Sequence, residues 1–248
     1  MNTKHILLTS ALVVSALAFT SCEDFFDTSS KKDLNTETAY SNLESAEMAL
    51  VGCYDGWQRT ISDEGVGMYL LAEFASEQAF AGLGLSDAKN NNVIDQFNLG
   101  IAPSYNDIFN VDWQNYYKAI FRCNQLIVQE DNIDWAGDIK AQGRVMGEAH
   151  AIRGILYFDL VRMFGDVPLL TAPSEENIPR SPASDVYQLI FEDFKYAIEH
   201  IPADAYPLDN SDTNDGRITK YAAEALMARA YLYHTGYYGA EHPSCTKA

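Results

Sequence analysis

The chain has 248 residues, and its 35 acidic against 17 basic side chains leave a formal charge of −18. So acidic a body repels nucleic acid phosphates and anionic lipid headgroups, which excludes nucleic acid as a partner and assigns any membrane attachment to something other than a basic face. The four cysteines, Cys22, Cys53, Cys123 and Cys245, contain no C-x-x-C pair and suggest neither a disulfide framework nor a zinc site.

In chain order, Lys4 gives a positive start, and Ile6 to Phe19 form an apolar stretch too short to span a bilayer, as expected of a secretory signal. Phe19-Thr20-Ser21-Cys22 resembles a bacterial lipobox, although Phe19 stands where Leu is usual. Residues 1–21 are then a lipoprotein signal peptide, and Cys22 becomes the lipid anchor of the mature chain. Several acyl chains make a durable anchor where one is marginal. The alternative is an ordinary signal with an incidental cysteine. Glu23, Asp24 and Asp27 lie in the 22–40 tether, where they resemble acidic surface-export tails or simply solvate a spacer.

From Ser45, Ala46, Ala49, Cys53, Tyr54, Trp57 and Ile61 recur at three- and four-residue spacing, which predicts a helix with Cys53 in its apolar face. A short helix is expected from about Val66 to Gln78. A long Gly- and Asn-rich loop follows, from about Ala79 to Asn110. Trp113, Tyr117, Ile120, Asn124 and Ile127 restore helical periodicity, and Cys123 falls in the same face. A longer helix runs from Ile139 to Phe164 and stops at Gly165. Ser181 and Pro182 read as an N-cap and first-turn proline for the next helix. Thr219 caps the last one, which is expected to end at Gly236. No segment alternates with period two, so the fold class is all-α with few or no strands.

Two helices carry one phrase. "EAHAIRGILY" from Glu148 and "EALMARAYLY" from Glu224 both read E-A-x-x-x-R-[GA]-x-L-Y, as stacked tetratricopeptide-like units would. Gly154 and Ala230 take matching places where a small side chain admits a neighbouring helix. Arg153 and Arg229 are expected to bond carbonyls or carboxylates between repeats rather than ligand. Asn124 is expected to bond between helices, and Asp166 to serve the turn after Gly165.

The phrase "RGILYFDLVRMFGDVPLLT", residues 153–171, resembles the signature of the SusD/RagB family of surface nutrient-binding lipoproteins. "SNLESAEMALVGCYDGW", "WQNYYKAIFRCNQLI", "IPRSPASDVYQLIFEDFKYAI" and "GRITKYAAEALMARAYLYHTG" match further helices of that family in its order. The resemblance implies a tetratricopeptide-like α-α superhelix over 41–248, incomplete at its C-terminus because members are considerably longer. It also implies an outer-membrane, surface-exposed lipoprotein that binds oligosaccharides and passes them to a SusC-like TonB-dependent transporter. A peptide-binding member, or a repeat scaffold that recruits protein without its own ligand site, is the alternative.

Catalytic patterns are absent from the sequence: there is no H-E-x-x-H, no G-x-S-x-G and no phosphate-binding glycine loop. "DNSDTNDG", residues 209–216, misses the calcium-loop acids in register and reads as a polar turn. No enzyme activity, cofactor or metal is expected. The site-like feature is the long loop, which interleaves Phe80, Phe97, Tyr105 and Phe109 with Asp87, Asn92, Asp95 and Asn98. Sugar rings offer a C–H face to aromatic side chains and a hydroxyl edge to Asn and Asp. Phe80, Asp95, Phe97, Asn98 and Tyr105 are therefore the candidate ligand contacts, unless the aromatics only pin the loop to the helices.

Overall fold

The computed structural model describes residues 40–62, 66–82, 89–98, 100, 108–174, 176–205 and 216–239, all within the compact unit Ala39–Ala248. The signal peptide, Cys22, Tyr105, Asp87 and nearly all of the 209–216 tract lie outside the described residues. The helices are α1 (Leu43–Ser62), α2 (Gly67–Ala75), α3 (Lys89–Asp95), α4 (Ile108–Ile127), α5 (Ile139–Phe164), α6 (Ala183–His200) and α7 (Lys220–Tyr238), with a 3-10 turn at Glu130–Asn132. Among the described residues there is no strand, only the isolated bridges Asn42 to Asp134 and Val167 to Ser181. The fold is all-α and tetratricopeptide-like.

Local chemistry starts and stops these helices. Asn42 and Ser45 cap α1 reciprocally, each backbone amide donating to the other's side-chain oxygen at 3.0 Å. Asp138 caps α5 through the Ala141 amide, and Thr219 caps α7 through the Ala222 amide. Gly165 and Gly239 follow the ends of α5 and α7 with φ of 69° and 80°, a conformation open to glycine. Two helices have no cap of their own. The amides of Val66 and Gly67, at the start of α2, donate to both carboxylate oxygens of Asp112 in α4, each at 2.9 Å. The Ala183 amide, at the start of α6, donates to Asp166 at 2.8 Å.

Three expectations therefore change. Ser181 does not cap α6 but pairs with Val167, and Asp166 does the capping from across the turn. The last helix runs past Gly236 to Tyr238. The long loop contains the short helix α3, because Val93 and Ile94 turn inward and Ile94 joins Val66, Phe74 and Ala81 in a small separate apolar cluster. On α1 the buried stripe is Ala46, Leu50, Cys53 and Thr60, which leaves Ile61 exposed about 100° off that face.

Packing is a succession of antiparallel neighbours centred on α5. Between α1 and α4, a Cβ on Gly56 would lie 3.0 Å from that of Ala119. Close by, Cys53 and Cys123 are fully buried free thiols, and burial pushes the Cys123 thiol up. Between α5 and α6 the approach depends on a glycine stripe. A Cβ on Gly143 would stand 2.5 Å from the His200 carbonyl oxygen, and one on Gly154 3.0 Å from the Phe194 ring. Between α6 and α7 the contact is aromatic, with Phe191 stacked on Tyr231 at 4.3 Å and Tyr187 edge-on to the buried His234 at 4.9 Å.

Through the glycine stripe runs a buried charge network. Arg153, 5% exposed, donates to both oxygens of Asp193 at 2.9 and 2.7 Å and to Asn124 at 2.8 Å. His150 Nδ1 meets the same carboxylate at 2.7 Å. Asn124 in turn donates to the carbonyls of Leu170 and Ala172, and the Tyr157 hydroxyl exchanges hydrogen bonds with the Leu170 backbone. The side chains of "RGILY" thus clamp the "VPLL" strap that follows their own helix. The expected structural roles of Arg153 and Asn124 hold. The repeat is less symmetric than its letters: Glu148 and Arg153 are buried, whereas Glu224 and Arg229 are exposed, because α7 has a described neighbour on one side only. Ala230 does match Gly154 as a fully buried small residue.

Burial alone would raise the Asp193 carboxyl, but Arg153 and His150 outweigh it and hold its pKa below the ordinary carboxylate value. A depressed folded pKa contributes stability that is complete above the unfolded value of about 3.9 and is lost as pH falls through the folded one. At neutral pH, Asp193→Asn should destabilise by ~3–5 kcal/mol because it strands Arg153. In urea melts the difference from wild type should narrow as pH falls below about 4. A pH-independent difference would show that the ion pair carries none of it.

Candidate functional site

The candidate loop is anchored by some of its aromatics and presents others. Phe109 packs against the small cluster and meets Phe164 edge-on at 6.2 Å. Asn92 is buried. Phe80 and Phe97 are instead 88% and 75% exposed. Both border the same cluster: Phe80 adjoins Ala81, and Phe97 lies three residues beyond Ile94. The pinning account is thus right for Phe109 and wrong for Phe80 and Phe97.

The backbone at Phe97 gives this exposure weight. The Asn98 amide donates to the Val93 carbonyl at 3.0 Å and the Phe97 amide to Ile94 at 3.1 Å, the paired bonds of a Schellman helix end. Phe97 occupies its left-handed position with φ of 49°, where glycine is the unstrained choice. A bulky side chain there costs stability that its own packing does not return, since its ring faces solvent. The turn after α2 is built alike, with Glu77 at φ 59°, and leads directly to Phe80. Asn98 folds back, its Oδ1 accepting from the Gly100 amide at 2.9 Å, and half-buried Asp95 ends α3. The structure therefore leaves the rings of Phe80 and Phe97 exposed, gives Asn98 a turn role, and leaves Tyr105 outside the described residues.

Two concave surfaces were not anticipated from the sequence. A groove of about 670 Å3 runs along α4, with Trp113, Tyr117 and Phe121 along one edge and Leu170 and Ala172 of the strap on the other. Trp113 and Tyr117 were legible as a helical stripe, but the strap that turns them into a wall, held by the Tyr117 hydroxyl on the Pro168 carbonyl at 2.8 Å, was not. A larger cleft of about 730 Å3 lies between α1, α2, α5 and α7. Its floor includes Tyr116, whose hydroxyl donates to Asp159 at 3.0 Å. Burial raises the Asp159 carboxyl even with Arg162 beside it. No cluster of metal-ligating side chains occurs among the described residues.

The decisive comparison is with protein families: residues 24–232 match the SusD-like family described as starch-binding associating with outer membrane. The chain belongs to the SusD-like family. Two curated SusD-like relatives, protein P38 of Formosa agariphila and one of Bacteroides ovatus, are each 24% identical over 94% of this chain. The chain spans only 43% and 41% of their lengths. Among solved structures, a laminarin binding SusD-like protein is similar with a TM-score of 0.63 at 29% identity, over 79% of this chain and 41% of that one. A SusD homolog from Bacteroides thetaiotaomicron is similar with a TM-score of 0.61 at 27% identity, over 83% and 39%.

If the Phe97 ring is kept for a ligand at the expense of the turn, Phe97→Gly should raise stability by ~1 kcal/mol, the relief of a left-handed side chain. The check is a urea melt of both proteins with ligand absent. A less stable variant would mean that the ring packs in solution.

Proposed function

We propose that this chain is the helical-repeat portion of a non-catalytic lipoprotein of the outer-membrane surface. It captures oligosaccharides and passes them to a SusC-like TonB-dependent transporter. One observation carries the ligand reading: two phenylalanine rings stand in solvent at the rim of a small cluster, one of them on a backbone position that favours glycine. An exposed ring is a platform for the C–H face of a sugar, and its strain makes sense when something binds it. The family match supports a carbohydrate ligand, and the laminarin-binding neighbour supports an oligosaccharide of some length. Attachment would be through Cys22, leaving the acidic body in water; no described helix is long and apolar enough to cross a membrane.

The test is calorimetric titration of the purified chain, without residues 1–22, with an oligosaccharide that binds it on a glycan array. Phe80→Ala and Phe97→Ala should each weaken binding by ~0.5–1.5 kcal/mol, the share of one aromatic stack. Unchanged affinity in both variants would move the site elsewhere, and binding of peptides but no glycan would favour the peptide-binding reading. For the anchor, palmitate labelling should be lost in Cys22→Ala; label retained by that variant refutes it.

A further inference from the structure

The cleft between α1, α2, α5 and α7 reverses the charge of the molecule around it. Acidic side chains outnumber basic ones 35 to 17 in the chain as a whole, yet the cleft is lined by Arg162, Arg217 and Arg229 against Glu73 and Asp159. Two of the arginines are already answered. Arg162 pairs with Asp159 and lies 4.1 Å over the Phe158 ring, and Arg217 is 3.4 Å from the buried Glu148. Arg229 differs. It is exposed, lies 5.9 Å from the Tyr233 ring, and shares with Arg162 the single Asp159 carboxylate, which Arg162 already pairs.

Tyr233 completes the arrangement. Hydrogen bonding from Arg162 and then Arg229 draws its pKa below the ordinary phenol value. With guanidinium carbons 5.2 and 5.9 Å from its ring, the phenol keeps its proton to donate, made more acidic by both. Arg229 and Tyr233 thus bring donors, and a positive charge, to the cleft, while Trp57 and Tyr69 supply aromatic wall. A neutral sugar has hydroxyls for the wall and nothing for the charge.

We propose that this cleft binds the anionic group, carboxylate or sulfate ester, of an acidic oligosaccharide, with Arg229 and Tyr233 as its recognition pair. The inference rests on the glycan-capture reading above but uses different residues from those of the loop.

The experiment titrates the same purified chain with three probes: tetragalacturonate for carboxylates, a sulfated carrageenan tetrasaccharide for sulfate esters, and laminaritetraose as the neutral control. An acidic probe should bind more tightly than laminaritetraose and weaken in 1 M salt, where the screening length is about 3 Å. Arg229→Gln should lower its affinity roughly tenfold or more, as expected for a hydrogen bond to a charged group. Tyr233→Phe should lower it less. Circular dichroism verifies that both variants fold. Whichever acidic probe shows these losses names the group. Acidic probes that bind no better than laminaritetraose, or an affinity unmoved by Arg229→Gln, overturn the proposal and leave glycan capture standing. Binding of none of the three overturns this proposal and counts against the capture reading as well.

Discussion

A guanidinium and a carboxylate that are both almost sealed from water hold the centre of this structure together, and they meet only because glycines let two helices close on each other. Gly143, Gly147 and Gly154 bring α5 against α6 closely enough that Cβ atoms there would collide or crowd. Arg153 can then reach both oxygens of Asp193. A buried ion pair is weak evidence of net stability but a strong constraint on register, since any sliding of the helices would leave charges unpaired. Asn124 and Thr171 tie the same guanidinium to α4 and the strap, so three helices and the strap share one polar centre. A second centre does the same work further along: the fully buried Glu148 accepts from the Tyr54 hydroxyl at 2.6 Å, and Tyr54 accepts from the Ile218 amide at 2.8 Å.

Against this rigid interior, the candidate ligand features all lie at edges. Phe80 and Phe97 belong to turns after short helices that pack on a small satellite cluster, and the arginine-lined cleft borders α7, whose buried stripe is Ala223, Ala230 and His234 alone. The division suits a binding protein: the core fixes backbone positions, and the rim presents side chains whose best partners are not within the fold.

What the sequence made legible were features whose cause is local. The bounds of α5 follow from its apolar run and Gly165, and a polar Asn124 or Arg153 within an apolar stripe signals a partner on another helix. What stayed hidden depends on the meeting of distant segments. Asp112 and Asp166 cap helices they do not belong to, so the sequence, although it places α2 from about Val66, does not show what holds its first amides or move the start of α6 off Ser181. The phrase shared by Glu148 and Glu224 encodes a helix face but not how many neighbours that face meets. Phe97 reads as one more loop aromatic, because a left-handed φ on a bulky residue has no sequence signature.

The bond from Asp112 to α2 also sets the grain of the molecule's motions. The first amides of α2 have their acceptor on α4, so α2 cannot keep its N-terminal turn if the start of α4 frays, and the cluster that supports Phe97 includes Phe74 of α2 and Phe109 of α4. These pieces, separate in sequence, make up one cooperative opening unit. Both of the first amides of α2 depend on this single carboxylate, whose pKa burial raises despite the hydrogen bonds it accepts. In hydrogen exchange the early amides of α2 and those of the turn at Phe97 would open together, at a lower free energy than the α5–α6 core. The exposed rings of Phe80 and Phe97 therefore sit on the part of the protein tied to its centre by the fewest bonds, apart from the charge-locked pair of α5 and α6.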